Sequence, residues 1–349
     1  ATRDVVLSTV TTMGNVTVSA DDNDFTLADN VGSITEVLTG EAENISGMAL
    51  DLAASTGIGT GATLDDAGDI DISGTTLSAV NSTSGTINIT ELDSVALAAI
   101  SNTGRPVILD AGGGFTDGNG ADVLNISSST LEMRAVTGIG VGVANDAGDI
   151  DTTITGTFAG QTTSGDINLH NVGGLTIGAL TTLSGAQITG GAVGDDITIR
   201  AASPMTVNSS VLNSGGGDIT LASEGNTAAD DLILAADVTA SGGNGNVRLF
   251  AGHDVLQNSG TITAAGSGDI SVSAGEDFAG GTNQAGNADG DVRMVDGLVI
   301  QSGSGLITLE ATRDVVLSTV TTMGNVTVSA DDNDFTLADN VGSITEVLT

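Results

Sequence analysis

The stretch GNVTVSA at residues 14–20 shows the pattern that decides the fold, and it returns unchanged at residues 324–330. Val16 and Val18 alternate with the polar Thr17, as expected for a strand that buries one of its two faces. The same phrase, a Gly followed by an alternating run, recurs along the chain; its other copies begin at Gly68, Gly85, Gly165, Gly217, Gly245, Gly268, Gly290 and Gly305. The pattern predicts many short strands.

The spacing of this phrase indicates how the strands are connected. From Gly245 to Gly324 the copies follow one another at steps of 15 to 23 residues. A strand at this spacing, bounded by Gly and Asp, is typical of a coil that turns sharply and stacks on the next coil. We therefore predict an all-β fold, a parallel β-helix (β-solenoid), with roughly 15 coils per long repeat stacked about 4.8 Å apart.

The sequence also has a repeat that is much longer than one coil. Residues 311–349 are identical to residues 1–39, which gives a period of 310 residues. We predict that residues 1–349 are one continuous β-solenoid segment, with 1–310 as one long repeat and 311–349 as the start of the next identical repeat. No initiator Met precedes Ala1, so we expect the chain to be part of a longer periodic polypeptide.

A shorter repeat of about 80 residues, visible in the first half of the chain, resolves one ambiguous segment. NISGMALDLAASTGIG from Asn44 resembles NISSSTLEMRAVTGIG from Asn125, at an offset of 81 residues. ELDSVALAAI, at residues 91–100, has a composition that also suits a helix, but its counterpart NVGGLTIGAL contains Gly173 and Gly174. Each Gly costs about 1 kcal/mol in a helix interior. We predict that both segments are strands.

The composition excludes several classes of function. The formal net charge is -37, and the seven basic residues are all Arg, which argues against nucleic acid as a partner. Of the 44 acidic residues 9 are Glu and 35 are Asp, and Asp favours turns. The chain lacks Cys, and no apolar run approaches the roughly 18 residues of a membrane helix, so we expect no membrane insertion of this segment.

Two Gly-rich stretches match a nominal dinucleotide-binding fingerprint. They are GIGTGA at Gly57 and GIGVGV at Gly138. The fingerprint requires a helix to follow, with its N-terminus on the pyrophosphate. TLDDAGDIDIS follows the first stretch and has no helical period. We therefore interpret both stretches as corners between coils.

The candidate metal site is DGNGADVLN from Asp117, which nearly matches a calcium-binding nonapeptide repeat. Asp117, Asn119 and Asp122 are the candidate ligands for Ca²⁺, the one candidate cofactor; the alternative is a solvated turn. Further Asp clusters lie at residues 21–24, 65–71 and 146–151. We expect most Asp residues before a strand to cap their own turn. Divalent cations are expected partners, because carboxylates stacked about 5 Å apart repel by roughly 0.8 kcal/mol per pair.

Catalysis is not expected. Parallel β-helices also include polysaccharide lyases and hydrolases, but this chain has no Lys, Trp or Tyr for a basic group or a sugar platform. His170 and His253 have no Ser or Cys nucleophile motif nearby. Pairs of carboxylates are inevitable among 44 acidic residues and so carry no information.

Runs such as GLVIQSGSGLITLEATRDVVLS (residues 297–318) resemble the repeats of filamentous-haemagglutinin-like and related large bacterial β-strand-repeat surface proteins. The resemblance implies a right-handed parallel β-helix that is extracellular, at the cell surface of a bacterium. We expect a structural fibre (stalk, sheath or filament) whose partners are adjacent repeats and lateral copies of the fibre. The alternative is an adhesin that displays a binding element on an insertion, for which residues 147–166 and 275–291 are candidates.

Overall fold

The computed structural model describes residues 3–20, 31–37, 43–64, 68–141, 148–225, 227–275, 290–330 and 342–346. In these ranges all regular secondary structure is β, in 35 strands that stack in parallel. The predicted all-β parallel β-helix is thereby confirmed. The chain forms two compact units, Ala1–Leu169 with Leu180–Leu183, and His170–Ala179 with Ser184–Thr349.

Sixteen strands begin in the first unit. They are β1 (Val5–Leu7), β2 (Val10–Thr11), β3 (Val16–Ser19), β4 (Ile34–Glu36), β5 (Ile45–Ser46), β6 (Ala49–Ala54), β7 (Ile70–Ser73), β8 (Thr76–Asn81), β9 (Ile87–Glu91), β10 (Val95–Ala111), β11 (Gly114–Asp117), β12 (Ile126–Ala135), β13 (Gly138–Ile139), β14 (Ile150–Ile154), β15 (Thr157–Thr162) and β16 (Ile167–Asn171).

The other strands belong to the second unit. They are β17 (Leu175–Ile177), β18 (Ala186–Ile188), β19 (Ile197–Ala201), β20 (Met205–Val207), β21 (Val211–Asn213), β22 (Ile219–Ser223), β23 (Leu232–Leu234), β24 (Val238–Ala240), β25 (Val247–Ala251), β26 (Val255–Gln257), β27 (Thr261–Ala264), β28 (Ile270–Ala274), β29 (Val292–Met294), β30 (Val299–Ser302), β31 (Ile307–Ala311), β32 (Val315–Leu317), β33 (Thr319–Thr321), β34 (Val326–Ala330) and β35 (Ile344–Glu346).

Three strands make one coil of the second unit, and each strand pairs with the third strand after it. The first column is β17–β20–β23–β26–β29–β32–β35. The second column is β18–β21–β24–β27–β30–β33. The third column is β19–β22–β25–β28–β31–β34. Each coil therefore contributes one strand to each of three parallel sheets.

The core of the second unit is a stack of like side chains. In the third column Val247 pairs with Ile270, and Ile270 with Ile307. All three side chains are buried, and Leu249 and Val272 are stacked and buried in the same way. Burying a side chain of this size contributes about 1.5–3 kcal/mol. Because every coil repeats this contribution, a core of aliphatic residues suffices.

Most coils of the second unit are longer than the average of about 20 residues that the spacing predicts. In the first column the step is 27 residues from Met205 to Leu232, 23 from Leu232 to Val255 and 37 from Val255 to Val292. One phrase makes the spacing shorter than the coil: the copies at Gly217, Gly245, Gly268, Gly305 and Gly324 precede strands of the third column, whereas the copy at Gly290 precedes β29 of the first column and divides the 37-residue coil from Ile270 to Ile307. The strands of all three faces alternate apolar and polar residues with the same period. The alternation alone therefore does not show whether two successive phrases belong to one face or to two faces of a coil.

The first unit has the same parallel stacking with less regular coils. β3, β6 and β8 stack in order, and the 17-residue strand β10 pairs with β8, β9, β11 and β12. The register of β10 against β12 shifts between Asn102 and Pro106, where β10 passes from one face to the next. There the buried amide of Asn81 donates to Asn102 Oδ1 at 2.9 Å, and Asn102 Nδ2 donates to the carbonyl of Pro106 at 2.6 Å. These two amide hydrogen bonds stabilise the point at which β10 passes between the faces.

Both strand predictions for the ambiguous segments are confirmed. The segment at residues 91–100 enters β10, and its counterpart contains β17. The repeat of about 80 residues is also visible in the backbone, because Gly57 and Gly138 have φ angles of +131° and +136°. Gly59 and Gly140 both have φ of +73°. Equivalent residues of the two copies therefore have the same backbone conformation.

Candidate functional site

A line of aspartates crosses the coils of the second unit, one immediately before each of four successive strands of the first column. We call it the aspartate ladder; its members are Asp231, Asp254, Asp291 and Asp314, which precede β23, β26, β29 and β32. The Oδ1 atom of each member accepts the backbone N–H of the next member, at 3.1, 2.8 and 3.1 Å along the ladder. Each carboxylate therefore links its own coil to the following one.

A second ladder lies before the strands of the third column. We call it the mixed ladder; its members are Asp196, Asp218, Asn246 and Asp269, which precede β19, β22, β25 and β28. Each Oδ1 atom again accepts the N–H of the next member, at 2.7, 2.8 and 2.8 Å, and Asp269 Oδ1 accepts the N–H of Leu306 at 2.7 Å. The same hydrogen bond, from a backbone N–H to a side-chain Oδ1 atom of the preceding coil, thus occurs before the strands of two different columns.

These contacts correct the expectation that an Asp before a strand caps its own turn. In both ladders the acceptor and the N–H belong to successive coils, because parallel stacking places the next strand start directly beside the side chain. Asn residues do the same in the first unit, where Asn44 Oδ1 accepts the N–H of Asp71 at 2.9 Å and Asn125 Oδ1 that of Asp151 at 2.8 Å. Of the predicted Asp clusters, residues 21–24, 65–66 and 146 lie outside the described residues.

Arginine neutralises the third member of the aspartate ladder, Asp291. Asp291 is fully buried, and Arg293 Nε and Arg313 Nε each donate to it at 2.7 Å. Burial alone would raise the pKa of Asp291, but hydrogen bonds from Arg313 and Arg293 outweigh it and hold the pKa below its usual range. In the mixed ladder, Asn246 and Arg248 lower the pKa of Asp218 in the same way against the effect of burial. Both carboxylates are charged at neutral pH.

The beginning of the aspartate ladder contains a histidine. His253 Nδ1 lies 2.7 Å from Asp231 Oδ1 and 3.6 Å from Asp254 Oδ1. The three side chains are 15 to 23% exposed, and one ligand atom from each lies within 4.8 Å of the other two. Burial raises the pKa of Asp254, and the charges of Asp291 and Asp231 add to the effect. In the described structure neither Asp231 nor Asp254 pairs with an arginine.

An open cavity of about 330 Å³ lies in the first unit beside Glu91 and the Asp110–Arg134 ion pair. Arg134 Nε donates to Asp110 Oδ1 at 3.0 Å, and its Nη2 donates to the second carboxylate oxygen. Glu91 is buried and accepts the N–H groups of Gly74 and Asp93, both at 3.2 Å. Burial nevertheless raises the pKa of Glu91 to about 7. The cavity wall thus contains a carboxyl that exchanges its proton near neutral pH.

The structure brings two of the three predicted calcium ligands together. Asp117 Oδ1 and Asn119 Oδ1 both accept the side-chain amide of Asn125, each at 2.9 Å. Asp117 also accepts the backbone N–H groups of Asn119 at 2.9 Å and Gly120 at 3.1 Å, which makes an Asx turn. Asp122 follows with a left-handed φ of +59°. These contacts occupy oxygen atoms that calcium would use, and the calcium site stays a prediction.

The remaining candidates from the sequence are placed as follows. Neither Gly-rich fingerprint is followed by a helix in the described residues; the second one contains β13, and its residues 142–143 lie outside the described residues. His170 Nε2 lies 3.7 Å from Glu224 Oε2. Residues 148–166 of the first candidate insertion contain β14 and β15, so this stretch is part of a coil rather than a display loop. Residues 276–289 of the second candidate lie outside the described residues.

The two ladders and the Glu91 cavity are sites that sequence reasoning missed. One signal for the aspartate ladder was available, because each member directly precedes an apolar run: DLIL, DVLQ, DVRM and DVVL. If the strands are assigned to one column, an Asp directly before each of them predicts that these Asp residues lie next to one another on successive coils. Glu91 has no such signal, since its burial depends on neighbouring coils.

Comparison of the chain with protein-family models, with curated proteins and with solved structures finds no match in any of the three. Among the described residues no helix is long and apolar enough to cross a membrane.

Proposed function

We propose that this chain is a repeat segment of a structural fibre, extracellular and at the surface of a bacterium, whose function is length and stiffness rather than catalysis. The observation that carries the proposal is the use of opposite strand edges by two identical segments. β3 in residues 1–39 pairs with the following coil, Val16 with Leu50. The identical β34 in residues 311–349 pairs with the preceding coil, Ile307 with Val326.

A strand in a parallel stack has two edges, and one sequence here accepts a coil on either edge. Both copies also share their local structure: Asp4 Oδ1 accepts the N–H of Ser33 at 3.0 Å, and Asp314 Oδ1 that of Ser343 at 2.8 Å. A segment with this structure and two usable edges can join two coils at once. Successive 310-residue repeats would then stack without interruption.

Burial of the same side chain in the two copies supports this continuity. Ile34 is fully buried and forms a bridge with Ile58 of the following coil. Its counterpart Ile344 is 54% exposed. A further copy of the coil that contains Ile58 would cover Ile344 as it covers Ile34. The partners of the segment would therefore be neighbouring repeats, in agreement with the resemblance to bacterial β-strand-repeat surface proteins.

The proposal is tested with chains of one, two and three complete 310-residue repeats. We expect electron micrographs to show rods that lengthen by a constant increment per repeat, with an axial spacing near 4.8 Å. The control replaces Thr17 by Pro in every internal copy, which removes a backbone hydrogen-bond donor from β3 and should interrupt the rod at each junction. Separate beads in the unmodified chains, without the axial spacing, would contradict the proposal.

A further inference from the structure

Side chains at the start of two successive coils converge on one point in the second unit. Asp231 precedes β23, while His253 and Asp254 precede β26, which stacks on β23. Together they present one imidazole nitrogen and two carboxylate oxygens. Zn²⁺ and neighbouring first-row ions accept this mixed nitrogen and oxygen set, whereas Ca²⁺ and Mg²⁺ prefer oxygen alone. The donor set therefore differs in kind from the calcium ligands predicted at Asp117.

The distances already approach those of a coordinated ion. Ligand atoms about 2.0–2.1 Å from a tetrahedral ion lie roughly 3.3 Å from one another. The Nδ1 atom of His253 lies 2.7 Å from Asp231 Oδ1 and 3.6 Å from Asp254 Oδ1. Both distances from the imidazole are therefore near this value, and one ligand atom from each of the three side chains lies within 4.8 Å of the other two.

The two carboxylates are held in place by the stacked backbone. Asp231 Oδ1 accepts the N–H of Asp254 at 3.1 Å, and Asp254 Oδ1 accepts the N–H of Asp291 at 2.8 Å. Asp254 Oδ1 keeps a second lone pair for a metal, whereas Asp231 Oδ1 is also hydrogen-bonded to His253 Nδ1 at 2.7 Å, a bond that a metal would replace when it displaces the proton from this nitrogen. The backbone of His253 is fixed too, since its N–H donates to the carbonyl of Asp230 at 3.1 Å. Such outer hydrogen bonds orient ligands before an ion binds.

Charge favours a cation at this point of the aspartate ladder. At Asp291 two arginines balance the carboxylate. Asp231 and Asp254 have no arginine partner in the described structure, and they lie on adjacent coils. We propose that Asp231, His253 and Asp254 form a binding site for a divalent transition-metal ion of the zinc class, which links two successive coils. Water would complete the coordination.

The chain contains two histidines, so imidazole NMR signals report on this site directly. We expect Zn²⁺ at neutral pH to shift the ring nitrogen signals of His253, with Nδ1 as the ligand. His253→Gln and Asp254→Asn should each lower the Zn²⁺ affinity by more than about 10-fold, since loss of even an outer-shell partner costs that much. His170→Gln is the matched control and should retain the His253 shift.

The outcomes separate a metal site from an ordinary ion pair. Unchanged His253 signals in the unmodified chain at saturating Zn²⁺ would overturn the proposal, as would wild-type Zn²⁺ affinity in a folded Asp254→Asn variant. Equal shifts of His253 with Ca²⁺ and with Zn²⁺ would also overturn it, because they would indicate screening rather than coordination. If His253→Gln fails to fold, the signals of the unmodified chain still decide the question.

Discussion

Glu91 makes the stability of the first unit depend on pH. Its side chain is 1% exposed, and burial raises its pKa from 4.5 to about 7. Because the folded state then binds the proton more tightly than the unfolded state, the stabilisation is complete below about pH 4.5 and is lost as the pH rises through about 7. A pKa change from 4.5 to about 7 corresponds to about 3 kcal/mol in the free energy of unfolding.

Substitution Glu91→Gln removes this dependence. Glutamine is uncharged at every pH and keeps an oxygen for the N–H groups of Gly74 or Asp93, which now lie 3.2 Å from the carboxyl. We expect the stability of the variant relative to wild type to rise by up to about 3 kcal/mol between pH 5 and pH 8. Asp51→Asn is the control, because it removes one negative charge from an exposed position on β6.

The measurement is urea unfolding at a series of pH values, together with hydrogen exchange at the amides of Gly74 and Asp93. Exchange is needed because parts of a solenoid unfold separately, so a single global transition is not assured. A stability difference between Glu91→Gln and wild type that stays flat, or that falls as the pH rises, would refute the reasoning. Such a result would mean that Glu91 ionises in the folded state without lowering the free energy of unfolding.

Three further changes test the packing, each by urea unfolding. Gly85→Ala should lower the free energy of unfolding by more than about 3 kcal/mol, because the added Cβ would collide with the carbonyl of Thr56. Gly104→Ala is the control: Gly104 also has a positive φ but lies in open space, so the loss should be about 1–2 kcal/mol. Equal losses in the two variants would contradict this reasoning. Phe158→Ala should cost about 3–5 kcal/mol and Phe158→Leu less than half of that. Asp291→Asn should cost about 1–3 kcal/mol at neutral pH. This loss should become smaller as the pH falls below 3.8. The pKa of Asp291 is lower in the folded state than in the unfolded state, so its charge stabilises the fold fully above pH 3.8, and the stabilisation is lost as the carboxylate is protonated.

The strands could be predicted from the sequence because their cause is local. Alternation of apolar and polar residues, as in Val16, Thr17 and Val18, requires no knowledge of the neighbours, and it correctly identified β3 and β34. The coil length could not be predicted in this way. It depends on which strands share a column, and the three faces of a coil carry the same alternation.

The candidate sites depend on stacking, which explains why the sequence missed them. The hydrogen bond from the N–H of Asp291 to Asp254 joins residues 37 positions apart, and the one from Asp254 to Asp231 joins residues 23 apart. No fixed motif spans such variable distances. The pKa of Glu91 likewise follows from burial by adjacent coils, since the segment ELDS alone suggests only a charged turn.

The ladders also explain how so acidic a chain can stack its coils. Two carboxylates about 5 Å apart repel by roughly 0.8 kcal/mol in water. A hydrogen bond from an N–H group to a charged acceptor contributes about 1.5–3 kcal/mol, so each step of a ladder is favourable despite the repulsion. The remaining repulsion is reduced where Asn246 replaces a carboxylate in the mixed ladder and where Arg293 and Arg313 neutralise Asp291. Asp231 and Asp254 have neither an Asn neighbour in the ladder nor an arginine partner in the described structure, so the metal ion proposed at these residues would reduce the repulsion between their carboxylates.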